Sequence, residues 1–309
     1  MSTKSYGDAV LGGREAIPEM LKLFSRYGVR ATWATVGLLF ARTRKEMLGY
    51  IPDVLPQYSN TSLSNYKAIR DEIGENEKED PYHFGRSLLD LVAETPGQEI
   101  ATHTFAHYYC LEDGQTLDAF RADIQSAQAI AKSAGHHLRS IVFPRNQYST
   151  SHVGICVEEG ITAFRGQPDA FAYRSMANRK VTPIVRGLRL LDSIIPVVSR
   201  KDLVKPEYCV GARDVRASRF LRPYRSSWPA YSRLHLNRVR SEMRVAAKQG
   251  QQYHLWWHPH NFGRNTRESL VQLESILAEY ARLNTSLGME SVTMLQAAHE
   301  RPSAGGEFC

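Results

Sequence analysis

The chain has 309 residues, 42% of them hydrophobic and 23% charged, with a formal net charge of +7. That is the balance of an ordinary globular protein large enough for one sizeable α/β domain, which excludes collagen-like and low-complexity chains. No apolar run is long enough for a bilayer, residues 1–8 are too polar for a secretory leader, and Cys110, Cys156, Cys209 and Cys309 form no CxxC pair, so a cytoplasmic protein without disulfides or structural zinc is expected.

Helical and strand patterns alternate along most of the chain. Residues 12–26 carry Ile17, Met20, Leu21 and Phe24 at helical spacing, with Pro18 near the start and Gly28 as the stop. A strand follows over 30–37 and a helix over 45–51. The polar stretch 52–81 is an insertion; loops of that length are functional or locally ordered. Next come a helix at 85–94, a strand at 99–103, and a long helix at 117–134 with Phe120, Ile124, Ala127 and Ile130 on one face. A strand at 138–143 meets Pro144-Arg145-Asn146, a short helix spans 153–159, and a short strand spans 163–166.

Residues 167–223 read as irregular and basic around one helix at 184–195. A helix at 236–249 and a strand at 253–257 then lead to His258-Pro259-His260. A helix at 266–283, a strand at 290–294, a short helix and a flexible tail at 301–309 complete the pattern. The expected organisation is a single domain over 1–300 with insertions at about 52–84 and 167–235.

Arginines between 213 and 244 lie among Tyr224, Trp228 and Tyr231, with Tyr253 nearby. No recognition-helix, RNP or zinc-finger pattern accompanies them, so a solvated helix face outranks a nucleic-acid surface. Attraction of an anionic substrate, such as a nucleotide-linked or lipid-linked sugar, is a third use for that charge. There is no GxSxG, GxxxxGK[ST] or GxGxxG motif, and thus no sign of a serine nucleophile or a nucleotide-phosphate loop.

Alternating strands and helices imply parallel pairing through right-handed crossovers. His103, Pro144-Arg145, Arg165 and His258 all fall at or just after the C-terminal end of an expected strand, the end where such folds place their chemistry. His103 and His107 are spaced to share a divalent metal, a reading favoured over two satisfied structural histidines by their place at a strand end. A catalytic metal usually takes three protein ligands, and an aspartate would suit zinc, manganese, iron or cobalt as the third. His258 follows an aromatic strand and is placed to act as a general acid.

Four segments resemble the NodB-like polysaccharide deacetylases, the carbohydrate esterase group of divalent-metal amidases. Ala31-Thr32-Trp33-Ala34-Thr35-Val36-Gly37 is similar to the strand that family writes as ATFF-V-G. Glu99 to His107, read as EIATHTFAH, resembles its EIGSHTxxH metal motif. Phe143-Pro144-Arg145 stands where the family has an arginine–aromatic–proline signature, in a different order, and Leu255-Trp256-Trp257-His258 resembles its late histidine strand.

The resemblance implies a distorted (β/α) barrel of the glycoside hydrolase and deacetylase type and metal-dependent removal of an N-acetyl group from an amino sugar of a polysaccharide or its precursor. It implies His103 and His107 as ligands of a divalent ion, zinc first, and His258 as the acid. Arg165 is the expected partner of the base; Arg145, Trp257 and His260 are the candidates to hold the carbohydrate. The family's first strand supplies an aspartate motif ahead of the first helix. Here Asp8, in a loop-like setting, is the sole carboxylate before residue 12. A truncated or degenerate member therefore ranks above replacement by Asp8 or Asp80, and a catalytically impaired carbohydrate-binding or scaffold protein of the same fold is the alternative.

Overall fold

The computed structural model describes residues 3–168, 173, 182–196 and 207–299. Helix α1 (Thr3–Tyr27) leads into β1 (Ala31–Thr35), followed by α2 (Arg44–Gly49), α3 (Tyr66–Asp71), α4 (Arg86–Glu94) and β2 (Gln98–Thr102). Next come α5 (Leu117–Ser133), β3 (Ser140–Ile141), α6 (Thr150–Glu158), β4 (Ala163–Phe164) and α7 (Pro183–Asp192). The remainder is β5 (Glu207–Cys209), β6 (Ala212–Asp214), β7 (Arg219–Phe220), α8 (Pro229–Gln249), β8 (Leu255–Trp256), α9 (Thr266–Leu287) and α10 (Met294–His299).

Five parallel strands lie in the order β1-β2-β3-β4-β6, with β5 antiparallel at the β6 edge. Strands β7 and β8 form a separate parallel pair. Among the described residues no ladder joins β8 to β1, so the expected α/β architecture is present but does not close into a barrel. The register runs from Ala31 opposite Gln98 to Thr35 opposite Thr102, which brings both C-terminal strand ends level. Helices α1, α8 and α9 cover one side through Phe24, Met243, Leu273 and Ile276; α5 covers the β2–β3 side through Phe120, Ile124 and Ile130. None of the described helices is long and apolar enough to cross a membrane.

Several sequence expectations change. Residues 6–9 belong to α1 rather than to a loop. Gly12 and Gly13 make that helix possible where it is: their missing Cβ atoms let the backbone of Gly263 and His260 press against it. Residues 290–293 are not a strand. There Thr293 and Gln296 form a reciprocal capping box at the start of α10: the Thr293 amide donates to Gln296 Oε1 at 3.0 Å and the Gln296 amide to Thr293 Oγ1 at 3.2 Å. The Met294 amide then donates to Thr32 Oγ1 at 2.8 Å and the Leu295 amide to Glu99 at 3.1 Å, which ties α10 to β1 and β2. In the basic middle, β5 and β6 form a hairpin around Val210 and Gly211, both at positive φ, a turn chemistry that reading the region as irregular overlooked. The tail at 301–309 lies outside the described residues.

The polar insertion is locally ordered and leans on the turn after β2. The Tyr109 amide donates to Tyr58 Oη at 2.7 Å, Asn65 Nδ2 donates to the Ala106 carbonyl at 2.8 Å, and Tyr66 Oη donates to Asp123 at 3.1 Å.

Candidate active site

Strand β2 ends at Thr102, and the chain turns through two left-handed non-glycine residues, Thr104 at φ 65° and His107 at φ 61°. Such backbone is costly, and a built network holds it. The Thr104 amide donates to Thr102 Oγ1 at 3.0 Å and the Tyr108 amide to Thr104 Oγ1 at 2.7 Å. From below, buried Asp123 on α5 accepts the Phe105 amide at 2.6 Å and the Ala106 amide at 3.2 Å. The result is two imidazoles facing each other edge to face, with the rings of His103 and His107 4.9 Å apart.

His103 Nδ1 lies 2.6 Å from the Val142 carbonyl, so that nitrogen carries the proton and Nε2 keeps the free lone pair. Burial, then the neighbouring His107, holds His103 well below the ordinary imidazole range. Burial and Arg145 push His107 down to about 4. Both rings are therefore neutral at pH 7, the form that binds metal.

Three further strand ends converge on this pair. After β3, Arg145 and Asn146 adopt left-handed backbone at φ 51° and 55°, and the Arg145 guanidinium lies 4.4 Å over the ring of Tyr109, itself edge-on to His107. Arg165, just past β4, donates through Nη2 to Asn146 Oδ1 at 2.8 Å and stacks 4.0 Å over Trp256 of β8. It is 7% exposed, its buried Nε has no acceptor, and burial lowers its pKa to about 9. No carboxylate pairs with Arg165 or Arg145 among the described residues.

His258 is exposed at the mouth, stacked on His260 with ring centroids 5.1 Å apart and edge-on to Trp256. Desolvation on its inner side, then His260, Arg165 and His107, hold its pKa below the ordinary imidazole value, so this ring too is neutral at pH 7. Trp257, expected beside the substrate, packs instead against Phe24 and Phe262 on the helix side. Side chains alternate along a strand, so Trp256 faces the histidines and Trp257 does not.

Sequence reasoning passed over Asp123, Asn146 and Asp214, while Tyr109, read from the sequence as a candidate wall of the site, does stand edge-on to His107. Asp214 ends β6 and holds Arg216 Nε at 3.3 Å, close against Gly166. A strand-final carboxylate next to an arginine was the available signal for it. Asp123 carried none, since one aspartate on an amphipathic helix reads as surface.

A hydrolytic metal takes three protein ligands and keeps a position for water. His103 and His107 offer two, and no group of three histidine, cysteine, aspartate or glutamate side chains able to hold a metal occurs among the described residues. Asp8 is exposed on α1. Asp80 uses its carboxylate on the Gly74 amide at 2.9 Å, the Tyr82 amide at 3.1 Å and His83 Nδ1 at 2.7 Å. Among the described residues, His103 and His107 are thus joined by no third side chain of these kinds.

No family model matches this sequence, and no curated protein matches it. Among solved structures, the chain is similar over 100% of its length to 85% of a putative polysaccharide deacetylase from Mycobacterium smegmatis, with a TM-score of 0.54 at 16% identity. It is similar over 99% of its length to 67% of a GH57-type branching enzyme from Pyrococcus horikoshii, with a TM-score of 0.50 at 13% identity. Likeness at such low identity reaches the fold and stops there: the chain has the mixed α/β fold of these carbohydrate-active proteins.

Proposed function

We propose that this protein binds carbohydrate at the mouth formed by His107, Arg145, His258 and His260, and that it hydrolyses it poorly or not at all. The observation that carries this reading is a pair of neutral, facing imidazoles with no third donor among the described residues, beside two arginines that no carboxylate among those residues answers. Unanswered guanidinium groups in a cleft favour an anionic ligand, such as an acidic or nucleotide-linked sugar. The imidazole faces of His258 and His260 give a sugar ring flat surfaces at the same mouth.

The reaction class to which the arrangement is related is removal of an N-acetyl group from an amino sugar. In that setting His103 and His107 would be two ligands of a divalent ion, zinc first, with manganese, iron or cobalt next. Its other requirements are a carboxylate base and a protonated acid. The described site supplies neither, because no carboxylate joins the histidines and His258 is held neutral.

Calorimetric titration with an N-acetylglucosamine oligomer and with a uronic-acid-containing oligomer tests the binding. Acetate assay of the same samples, with and without added zinc, tests the chemistry. The expected result is saturable binding, tighter for the acidic oligomer, with little or no acetate. Absence of binding to either oligomer overturns the carbohydrate reading; sustained acetate release overturns the claim of poor hydrolysis.

A further inference from the structure

Helix α7 has an apolar stripe, and that stripe faces outward. Thr182 caps the helix, its hydroxyl accepting the Val185 amide at 3.3 Å, and Pro183 opens the first turn. Ile184, Leu188 and Leu191 follow at i, i+4 and i+7. The Ile195 amide donates to the Leu191 carbonyl at 2.9 Å, which carries the turn and the stripe on to i+11. A stripe so spaced ordinarily faces a core. Here Ile184 is 75% exposed, Leu191 49% and Ile195 56%, and none of the four joins a core cluster among the described residues.

Polar groups on the other face hold the helix to the body. Buried Asp192 pairs with Arg219 Nη1 at 3.0 Å, and the Asp192 carbonyl accepts from the same nitrogen at 2.8 Å. Arg219 is held in turn by Glu242 of α8, its Nε donating at 3.0 Å. His235 Nδ1 lies 2.9 Å from the Ser193 carbonyl, and Arg222 Nη2 donates to the Arg189 carbonyl at 3.1 Å. Turning the stripe inward would break a buried ion pair and leave both charges unpaired. The apolar face therefore stays outside.

Its surroundings are aromatic and basic. Trp228 at the head of α8 is 53% exposed and stands edge-on to Tyr231, whose hydroxyl lies 2.8 Å from Ser193 Oγ. An exposed indole is thus set beside the C-terminal end of α7. Arg225 is exposed one turn before it, the Trp228 amide donating to the Arg225 carbonyl at 3.0 Å, and Arg186 and Arg233 are exposed on the two helices. Residues 182–196 and 221–240 contain seven arginines and one carboxylate. That carboxylate is Asp192, buried in its ion pair, so the surface of these stretches has one sign.

Charge and shape decide what could cover the stripe. A second copy of the chain would bring two arginine rims together, and like charges oppose that contact. A nucleic acid would answer the arginines but set Ile184, Leu191 and Ile195 against phosphates. A groove on an acidic protein accepts a helix that projects, whereas α7 is held along its inner side. An anionic bilayer surface meets both demands: headgroups answer the arginines, and the acyl boundary takes aliphatic side chains and an indole.

We propose that α7 and the head of α8 form a docking surface for an anionic lipid bilayer. Ile184, Leu191, Ile195 and Trp228 enter the interface, and Arg186, Arg225 and Arg233 lie among the headgroups. The helix rests in the plane of the membrane at a depth of roughly 5–10 Å. This surface does not depend on the carbohydrate reading.

Cosedimentation of the full chain with vesicles tests the proposal, using phosphatidylcholine alone and phosphatidylcholine with about one-third phosphatidylglycerol. Saturable binding to the anionic vesicles is expected, about tenfold or more weaker to the neutral ones and weakened by high salt. Tryptophan fluorescence should shift to the blue on binding, and Trp228→Phe should remove that shift. Leu191→Glu changes an exposed position and should weaken binding about tenfold or more, with the far-ultraviolet spectrum and melting temperature unchanged. The double variant Arg225→Glu, Arg233→Glu covers the case in which Leu191→Glu disturbs the helix; it should remove the preference for anionic vesicles. No binding to anionic vesicles, equal binding to both compositions, or undiminished binding by folded Leu191→Glu would overturn the proposal. So would a blue shift that persists in Trp228→Phe, or dimerisation of the lipid-free chain that Leu191→Glu abolishes.

Discussion

The carboxylate of Asp123 accepts the Phe105 amide at 2.6 Å, and this bond ties helix α5 to the turn that carries both site histidines. The turn holds two left-handed residues, so its shape depends on acceptors beneath it. Asp123→Ala strands the Phe105 and Ala106 amides and the Tyr66 hydroxyl. Buried groups left unsatisfied cost roughly 1–3 kcal/mol each, and relaxation recovers part of that. The variant is expected to lose about 2–5 kcal/mol in urea titration, and Asp123→Asn, which keeps one acceptor, about half as much. A loss under about 0.5 kcal/mol for Asp123→Ala would show that the turn holds itself.

Two buried histidines away from the site predict an acid-sensitive fold. His152 and His235 are each pushed by burial from 6.5 to about 4. Above pH 6.5 both are neutral folded or unfolded and contribute no slope. As pH falls from 6.5 toward 4, the unfolded chain takes up protons that the folded chain refuses, so stability falls through that window. Urea titrations at stepped pH should show this decline, and His152→Gln should flatten it. An unchanged slope in His152→Gln would remove that ring from the account.

Packing of α1 against the turn after β8 rests on glycine. At Gly12 an added methyl would run into the Gly263 backbone, while at Gly49 it would meet open space. Gly12→Ala is expected to lower stability by about 1–3 kcal/mol through overpacking. Gly49→Ala, in the short helix α2, should be neutral or gain up to about 1 kcal/mol. Equal effects of the two variants on the melting temperature would contradict the close approach.

These residues also show what was legible in advance. The helical spacing of Ile17, Met20, Leu21 and Phe24, the strand over 31–35 and the histidines at 103 and 107 all followed from local periodicity, which survives folding because each element buries one face. The start of α1 was misjudged because Gly7 and the polar residues around it lower intrinsic helicity, and the contacts that account for the glycines of this helix are distant in sequence: Tyr82 at Gly7, Gly263 at Gly12 and His260 at Gly13. Trp257 and Trp256 were indistinguishable until the strand phase was known. Asp123 was invisible because its partners lie in a turn of unusual backbone that no short-range pattern announces.

Arg165 separates binding from stability. No carboxylate among the described residues answers this buried cation, so its desolvation is not offset by an ion pair and apolar replacement need not destabilise the fold. Arg165→Met is expected to hold or raise the melting temperature while weakening binding of an acidic oligosaccharide at least tenfold. A variant that unfolds, or that binds the acidic ligand as well as the parent, would show that the guanidinium serves the fold and not a ligand.

The proposed function turns on His103 and His107 offering a divalent ion two donors, with no third among the described residues. Zinc titration of the purified chain, followed by calorimetry and by the ring resonances of His103 and His107, tests it most directly. Both rings are expected to respond to zinc, with binding that is weak, is not stoichiometric at micromolar concentrations, and is lost in His103→Ala. Tight one-to-one binding by the parent chain, with acetate released from an N-acetylated oligosaccharide, would contradict it.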